Sequence, residues 1–268
     1  MDLAPAALLA LYDDQLRTDA ETPSARAVTR LGPLRLVTFD GGRGFVTYRD
    51  LAGADAAAVR ELVAGALEHY RADPALERVE WKARGHDAAP GLDAALRVHG
   101  FVQQQQEVVV MGDARLLAVD VPLPPQVVLR RVTSEDDVRA MSAMQDEVFG
   151  DPVSPRYADA LLRRMATGDG TELWVAEVDG RVIGAGRLEP VADSDVAGLW
   201  GGAVRPGWRG RGVYRALTAA RARSALRLGR RLLHSDCSPA SRPVLERFGL
   251  VPVTTTTPHV WHRGASRP

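Results

Sequence analysis

The first 120 residues of the chain combine helical and strand spacing of apolar positions. Apolar residues three and four apart predict amphipathic helices, whereas strict alternation predicts half-buried strands. By this criterion we expect helices over 5–17 and 54–72, strands over 34–39, 44–51 and 78–83, a short helix over 91–101 that ends at Gly100, and β structure over 101–111. The segment DGGRG between the first two strands predicts a tight turn.

The same spacing predicts a second series of elements after residue 126. We expect a strand over 127–132, a helix over 134–149 capped by Ser134, a hairpin over 173–191 turning at Asp179-Gly180, a strand over 197–204, a long helix ending at Leu228, a strand over 230–236, a short helix over 241–249 and, over 250–261, two strands or one bent strand.

Both series end in the same way, which predicts an internal duplication. LRVHGFVQQQQEVVVM and LERFGLVPVTTTTPHVW each contain a short helix, a glycine stop (Gly100 and Gly249) and a β segment. The proline-rich VPLPP at 121–125 favours a boundary, because proline interrupts helices and strand ladders. We therefore divide the chain into a first domain over 1–120, a linker over 121–126 and a second domain over 127–268.

Composition narrows the classes of function. With 34 basic and 34 acidic side chains the formal net charge is zero, so the net charge does not imply attraction of the whole chain to nucleic acid or an anionic membrane. No apolar run approaches the roughly 18 residues of a membrane helix, and the N-terminus is unlike a signal peptide. The single cysteine, Cys237, excludes an internal disulfide and fits a reducing compartment. We expect a cytoplasmic protein.

One short stretch, RGRG at 209–212, indicates a phosphate ligand. It stands where the long helix begins, and a helix start offers unpaired backbone amides and the positive end of the helix dipole. Glycine lets the backbone approach a ligand closely, and arginine adds positive charge. No Asp or Glu lies between Asp195 and Asp236, whereas nine arginines do. The later ones suit the helix C-terminus, and Arg209 and Arg211 suit an anion. The pattern lacks the lysine of a Walker loop and the third glycine of a dinucleotide fingerprint.

The stretch AVRPGWRGRGVYRAL at 203–217, in this order of strands and helices, resembles the GCN5-related N-acetyltransferase (GNAT) superfamily, whose pyrophosphate loop has the pattern [Q/R]-x-x-G-x-[G/A]. Arg209, Gly212 and Tyr214 occupy its marked positions, with tyrosine in place of the small residue. The later SRPVLERFGLVPV also matches, and the resemblance covers about residues 127–263. It implies an α/β (α+β) fold of two tandem GNAT-like domains, each a mixed, mostly antiparallel twisted sheet flanked by helices. The first domain is then a degenerate copy without the CoA loop.

The resemblance also implies the activity and the cofactor site. The expected reaction is transfer of an acetyl group from acetyl-CoA to a small-molecule amine by direct attack, without a covalent enzyme intermediate. Ser238 stands where the family often has a CoA-contacting asparagine, with Ser241 one helical turn on; both suit helix N-caps equally well. The implied cofactor-binding residues are Gly202, Ala203, Val204, Arg209, Gly210, Arg211, Gly212, Val213, Tyr214, Ser238 and Ser241.

The catalytic groups are less defined. The tyrosine that often serves as acid in the family falls on Leu245, and the strand over 197–204 carries no carboxylate or histidine. Asp236 is our first candidate for the base, followed by Glu189 and His234, with a water relay as an alternative. Cys237 lacks a recognisable histidine partner for nucleophilic catalysis, and the histidines have no metal-ligand spacing.

Two other functions stay open from the sequence. A non-catalytic acyl-CoA sensor would explain the missing tyrosine and the missing strand carboxylate. A nucleic-acid-binding module using the arginine-rich helix conflicts with the neutral net charge. We expect a monomer or weak homodimer that contacts neither nucleic acid nor membrane.

Overall fold

The computed structural model describes residues 3–264, which form two compact units. Of the described residues, the larger unit contains 3–8 and Val110–Pro252, and the smaller unit contains Leu9–Val109 and 253–264. The limits of these units do not coincide with the sequence boundary at 121–126. Residues 110–126 pack with the later part of the chain, whereas residues 253–264 pack with the earlier part, so each unit is built from two separate segments.

The elements follow the predicted order with two additions. The helices are α1 Pro5–Leu11, which continues as a π-helical turn over Tyr12–Leu16, α2 Ala56–Ala72, α3 Leu92–Val98, α4 Glu135–Phe149, α5 Pro155–Ala166, α6 Val213–Arg227 and α7 Arg242–Arg247. The strands are β1 Ala27–Leu31, β2 Leu34–Phe39, β3 Arg43–Thr47, β4 Arg78–Arg84, β5 Val102–Gln103, β6 Glu107–Asp113, β7 Val128–Arg131, β8 Glu172–Val178, β9 Arg181–Pro190, β10 Val196–Val204, β11 Leu232–Cys237 and β12 Val251–His262. The pattern analysis missed β1 and α5.

The smaller unit is a mixed sheet with α2 and α3 packed on it. β1, β2 and β3 pair antiparallel, β3 pairs parallel with β4, and β4 pairs antiparallel with β12. β12 is one continuous strand, which decides between the two predicted alternatives. The core is aromatic as well as aliphatic, with Trp81, Tyr48 and Tyr70 all buried in it.

The larger unit has a mostly antiparallel sheet with helices on both faces. β7, β8, β9 and β10 pair antiparallel, and β10 pairs parallel with β11, which has β6 on its other side. One face carries Ala185 and Ala203 in a cluster with buried side chains of α4 and α5. The other face is occupied by α6, which approaches Gly184 and Gly186 so closely that a Cβ would lie 3.0 Å from Val213 and 2.6 Å from Arg221.

Several local predictions are confirmed in detail. Ser134 caps α4, because its side chain accepts a hydrogen bond from the Asp137 amide. The β8–β9 hairpin turns at Asp179 and Gly180, whose φ angles of 50° and 75° suit a tight hairpin turn.

A buried ion pair in the smaller unit predicts a loss of stability in acid. Glu21 accepts a hydrogen bond from Thr47 Oγ1 at 2.7 Å and pairs with Arg84, whose side chain is fully buried. Burial alone raises the pKa of Glu21, but the charges of Arg84 and Lys82 and the Thr47 bond outweigh it and hold the pKa below its usual 4.5. A carboxyl group with a lowered folded-state pKa stabilises the fold above the unfolded-state pKa, and this stability is lost as the pH falls through the folded-state value.

We therefore expect the melting temperature of the wild type to fall steeply below pH 4.5. In Glu21→Gln the fall should be shallower, from a lower starting value at neutral pH, because the ionisable member of the pair is gone. Thermal melts followed by circular dichroism between neutral and acid pH measure this. The matched control is Glu61→Gln on the exposed face of α2. Equal acid slopes in wild type and Glu21→Gln would contradict the assignment.

Candidate active site

The stretch predicted to bind phosphate forms an open helix N-terminus. Gly212 is the N-cap of α6 in the left-handed conformation, with φ of 81°, and no side chain caps the helix. The Gly212 carbonyl accepts the first helical bond from the Ala216 amide, so the amides of the first turn are without a helical partner. Gly210 also has a positive φ, and a Cβ there would meet nothing within 4 Å. This geometry is typical of an anion site.

Arg209 and Arg211 bring positive charge to the same loop. Arg209 Nε donates to the Val204 carbonyl at 3.1 Å, which fastens the loop to the end of β10. The Arg211 guanidinium lies over the Trp208 ring, 5.1 Å from its centroid. Both side chains are exposed, and neither forms an ion pair with any residue between 3 and 264.

The corresponding helix of the smaller unit begins differently. Asp55 is the N-cap of α2, and its carboxylate accepts hydrogen bonds from the Ala57 and Ala58 amides. A side-chain anion therefore occupies the amides that a phosphate would need, and its negative charge opposes a second anion. Of these two helix starts, only that of α6 is suited to an external anion.

The strand before the loop separates from its neighbour. β10 and β11 are registered over Val196–Gly198 and Leu232–His234, and within the described residues no further pair follows. Ser235 Oγ bridges the strands at this point by donating to the Leu199 carbonyl at 2.9 Å. The sequence placed the backbone contacts for the cofactor on Gly202, Ala203 and Val204, and these residues form the separated part of β10.

A bulge marks the middle of β10. The register with β9 shifts between Trp200 and Ala203, and Gly201 has φ of 59°. Gln145 of α4 donates from Nε2 to the Gly201 carbonyl at 2.6 Å, which fixes the bulge against α4. A bulge re-aims the backbone, so this contact sets the direction of the β10 groups next to the strand separation.

Glu189 lies on the face of the sheet that α4 and α5 cover. Its carboxylate pairs with Arg164 Nη1 at 2.7 Å and with Arg187, which also hydrogen-bonds the Tyr157 hydroxyl. Burial lowers the pKa of the Arg187 guanidinium, but Glu189 and Tyr157 outweigh this and raise it above its usual value. Because two guanidinium groups engage its carboxylate, Glu189 is better suited to positioning neighbouring groups than to accepting a proton.

The other two candidate bases share this face. In the strand registers Glu189 is opposite Gly198, and Gly198 is opposite His234, so the three form one row across β9, β10 and β11. The His234 ring packs edge-on against Trp200 with centroids 5.2 Å apart, and Asp236 follows two residues later on the same side of β11. The structure therefore brings the three candidates to one face.

The segment after β11 holds the predicted serines. The Ser238 and Ser241 hydroxyl oxygens are 3.3 Å apart, and the Ser241 amide donates to the Ser238 carbonyl. Ser241 is the N-cap residue of α7 but makes no side-chain capping bond, so its hydroxyl is used elsewhere. Leu245 is 1% exposed beside Val244 and Phe248, so it is a core residue.

Pattern analysis missed two side chains of the site, Gln145 and Tyr157. Tyr157 lies on α5, which was overlooked although Ser154 followed by Pro155 is a helix start signal. Gln145 lies on the predicted helix α4, but nothing in a single sequence shows that its amide reaches β10.

Comparison with known proteins agrees with this geometry. Residues 138–250 match the model of the acetyltransferase (GNAT) family, so the chain carries a domain of that family. No curated protein sequence matches the chain. No helix within residues 3–264 has the length and apolar character needed to cross a membrane.

Solved structures share the fold over nearly the whole chain. A GCN5-related N-acetyltransferase from Kribbella flavida is 17% identical with a TM-score of 0.67, and the match covers 97% of this chain and 96% of that one. A tandem GNAT protein from the clavulanic acid biosynthesis pathway is also 17% identical, with a TM-score of 0.62 and coverage of 99% and 98%. An enzyme of the same class from Sphaerobacter thermophilus is 18% identical, with a TM-score of 0.60 and coverage of 97% and 94%.

Proposed function

We propose that the chain is an acetyl-CoA-dependent N-acetyltransferase that acts on a small-molecule amine. The observation that carries the proposal is the uncapped start of α6 with Arg209 and Arg211 beside it. The cofactor would supply the acetyl thioester, and its phosphates match the amides and guanidinium groups of the loop. Because Asp55 caps α2, we propose that the first half binds no CoA of its own.

Different residues around the strand separation would bind the cofactor and the amine. Backbone groups of Gly202, Ala203 and Val204 would hold the arm of the cofactor, and the bulge fixed by Gln145 would orient the β10 amides towards the reacting carbonyl. The amine would approach from the face with Trp200, Arg187 and Glu189. The row of side chains on that face would keep the amine in position for direct attack.

We place proton transfer on the same face of the sheet, the one that carries Trp200, Arg187 and Glu189. Asp236 and His234 lie on it near the strand separation, so either group, or a water held between them, would accept the proton from the attacking amine. Leu245, in the core, offers no acid to the leaving thiolate. A thiolate is a tolerable leaving group, since thiol pKa values are about 8.5, so the reaction proceeds without an acid at this position.

The sensor alternative has one observation in its favour, which is the burial of Leu245 at the position of the missing acid. Both an enzyme and a sensor would bind acetyl-CoA, but only the enzyme would transfer its acetyl group to an amine. Release of free thiol from acetyl-CoA with a panel of amines therefore separates them, and binding of acetyl-CoA without turnover on any amine of the panel would favour the sensor.

We expect acetyl-CoA to raise the melting temperature of the protein. A ligand that binds only the folded state stabilises it by about 2.7 kcal/mol at a concentration of 100 times its Kd. Thermal shift and calorimetry measure the effect, and 3′-dephospho-acetyl-CoA should bind more weakly because a phosphate contact is lost. The control is acetyl-pantetheine, which lacks the pyrophosphate and should give little shift. No shift with millimolar acetyl-CoA would disprove the cofactor assignment.

A further inference from the structure

The proposed cofactor path runs from the start of α6 into the gap between β10 and β11. The phosphates belong at the first turn of α6, and the separated strands begin after Gly198 and His234. A flexible arm that joins the two must pass the side of β10 that faces α6. The side chains bordering this passage therefore decide whether the arm can enter.

The side chain of Tyr214 lies in this passage. Tyr214 lies in the first turn of α6, and a Cβ placed on Gly202 of β10 would lie 2.7 Å from its Cε2 atom. The ring is partly buried and packs on the apolar cluster that contains Val204 and Leu217. Glycine at 202 leaves the space that the ring occupies, so the ring lies directly on the separated part of β10.

The Tyr214 hydroxyl also lies against the separated part of β10, since a Cβ placed on Gly202 would lie 3.5 Å from its oxygen. The end of α7 borders the same turn of α6, because the Arg215 guanidinium lies over the Phe248 ring, 4.2 Å from its centroid. At the start of α7 the Ser241 hydroxyl donates to the Ser238 carbonyl at 3.3 Å. The Tyr214 side chain therefore lies along β10 beside the turn of α6 that α7 covers.

From this geometry we infer that Tyr214 closes the entrance for the cofactor arm and that its displacement sets the affinity for acetyl-CoA. The inference rests on the proposed function, because it takes the gap between β10 and β11 as the path of the arm. In the superfamily pattern the same position carries glycine or alanine, which leaves the path open. If the open arrangement is a minor one, the apparent Kd is the intrinsic Kd divided by the open fraction. Tyr214 therefore weakens acetyl-CoA binding without touching the phosphates.

The test compares two ligands on wild type, Tyr214→Ala and Tyr214→Phe. Acetyl-CoA carries the arm, whereas adenosine 3′,5′-bisphosphate carries phosphates without it. We expect Tyr214→Ala to bind acetyl-CoA at least tenfold more tightly and with a faster association rate, because the ring is gone. Tyr214→Phe keeps the ring and loses only its hydroxyl, so its acetyl-CoA affinity should stay close to that of wild type. Adenosine 3′,5′-bisphosphate should bind all three proteins equally.

The outcomes of the calorimetric titrations distinguish failure of this inference from failure of the proposed function. Equal or weaker acetyl-CoA binding by Tyr214→Ala, with unchanged binding of the bisphosphate, overturns the inference and leaves the proposed function intact. Failure of every variant to bind either ligand overturns both. Should Tyr214→Ala not fold, Tyr214→Val carries the test, because it also removes the ring, and wild-type acetyl-CoA affinity in that variant overturns the inference.

Discussion

Reversing the two loop charges, in the double variant Arg209→Glu/Arg211→Glu, should reduce acetyl-CoA affinity by at least about a hundredfold. Each arginine in contact with a phosphate is worth about 1.5–3 kcal/mol, and glutamate adds repulsion. Both side chains are exposed and the only hydrogen bond lost among residues 3–264 is that from Arg209 to the Val204 carbonyl, so the fold should tolerate the change. Isothermal titration of acetyl-CoA measures the loss.

The matched control is Arg227→Glu, which makes one such replacement in the exposed last turn of α6. It alters the net charge and the helix dipole but lies at the opposite end of the helix. We expect its acetyl-CoA affinity to stay within about threefold of wild type, since exposed charges beyond a Debye length of about 8 Å are largely screened. If control and double variant lose affinity equally, the loop is not the phosphate site.

Replacing Arg221 by methionine should lower the free energy of unfolding of the larger unit by about 3 kcal/mol or more. Arg221 is 1% exposed, and its Nη1 donates to the carbonyl oxygens of Arg187 at 3.2 Å and Trp200 at 3.4 Å. These bonds join α6 to β9 and β10 beside the bulge. Burial lowers the pKa of Arg221 to about 10, which still keeps it charged at neutral pH. Without the guanidinium the carbonyls lose partners, at about 1–3 kcal/mol for each unsatisfied group.

Arg223 provides the control for this variant. It lies on the same helix, its side chain is 41% exposed, and it donates to the Val119 carbonyl at 3.0 Å. Arg223→Met should cost less than about 1 kcal/mol, because water replaces the lost bond. Urea unfolding followed by tryptophan fluorescence compares the two variants. Equal midpoints would mean that the buried guanidinium contributes no more than an exposed one.

Local chemistry determined most of the elements and the uncapped start of α6. Ser134 before an amphipathic run, Asp179-Gly180 between alternating segments, and Gly212 before α6 each act within a few residues, so the sequence shows them directly. The start signal of helix α5, Ser154 followed by Pro155, also lies within a few residues, but the pattern analysis overlooked it. The arginine and glycine spacing also predicted the family, which the match over 138–250 confirms.

Contacts between distant residues were decided only by the tertiary structure. Three examples depend on how separate elements pack. Gln145 donates to the Gly201 carbonyl, and Glu189 pairs with Arg164 and Arg187. The third is the pairing of β12 with β4. The sequence shows that Tyr214 stands where the pyrophosphate-loop pattern of the superfamily has glycine or alanine. That its ring lies on the separated part of β10 follows only from where the packing of α6 on the sheet places Gly202. Sequence spacing specifies which backbone groups a short segment exposes, but packing specifies which side chains meet them.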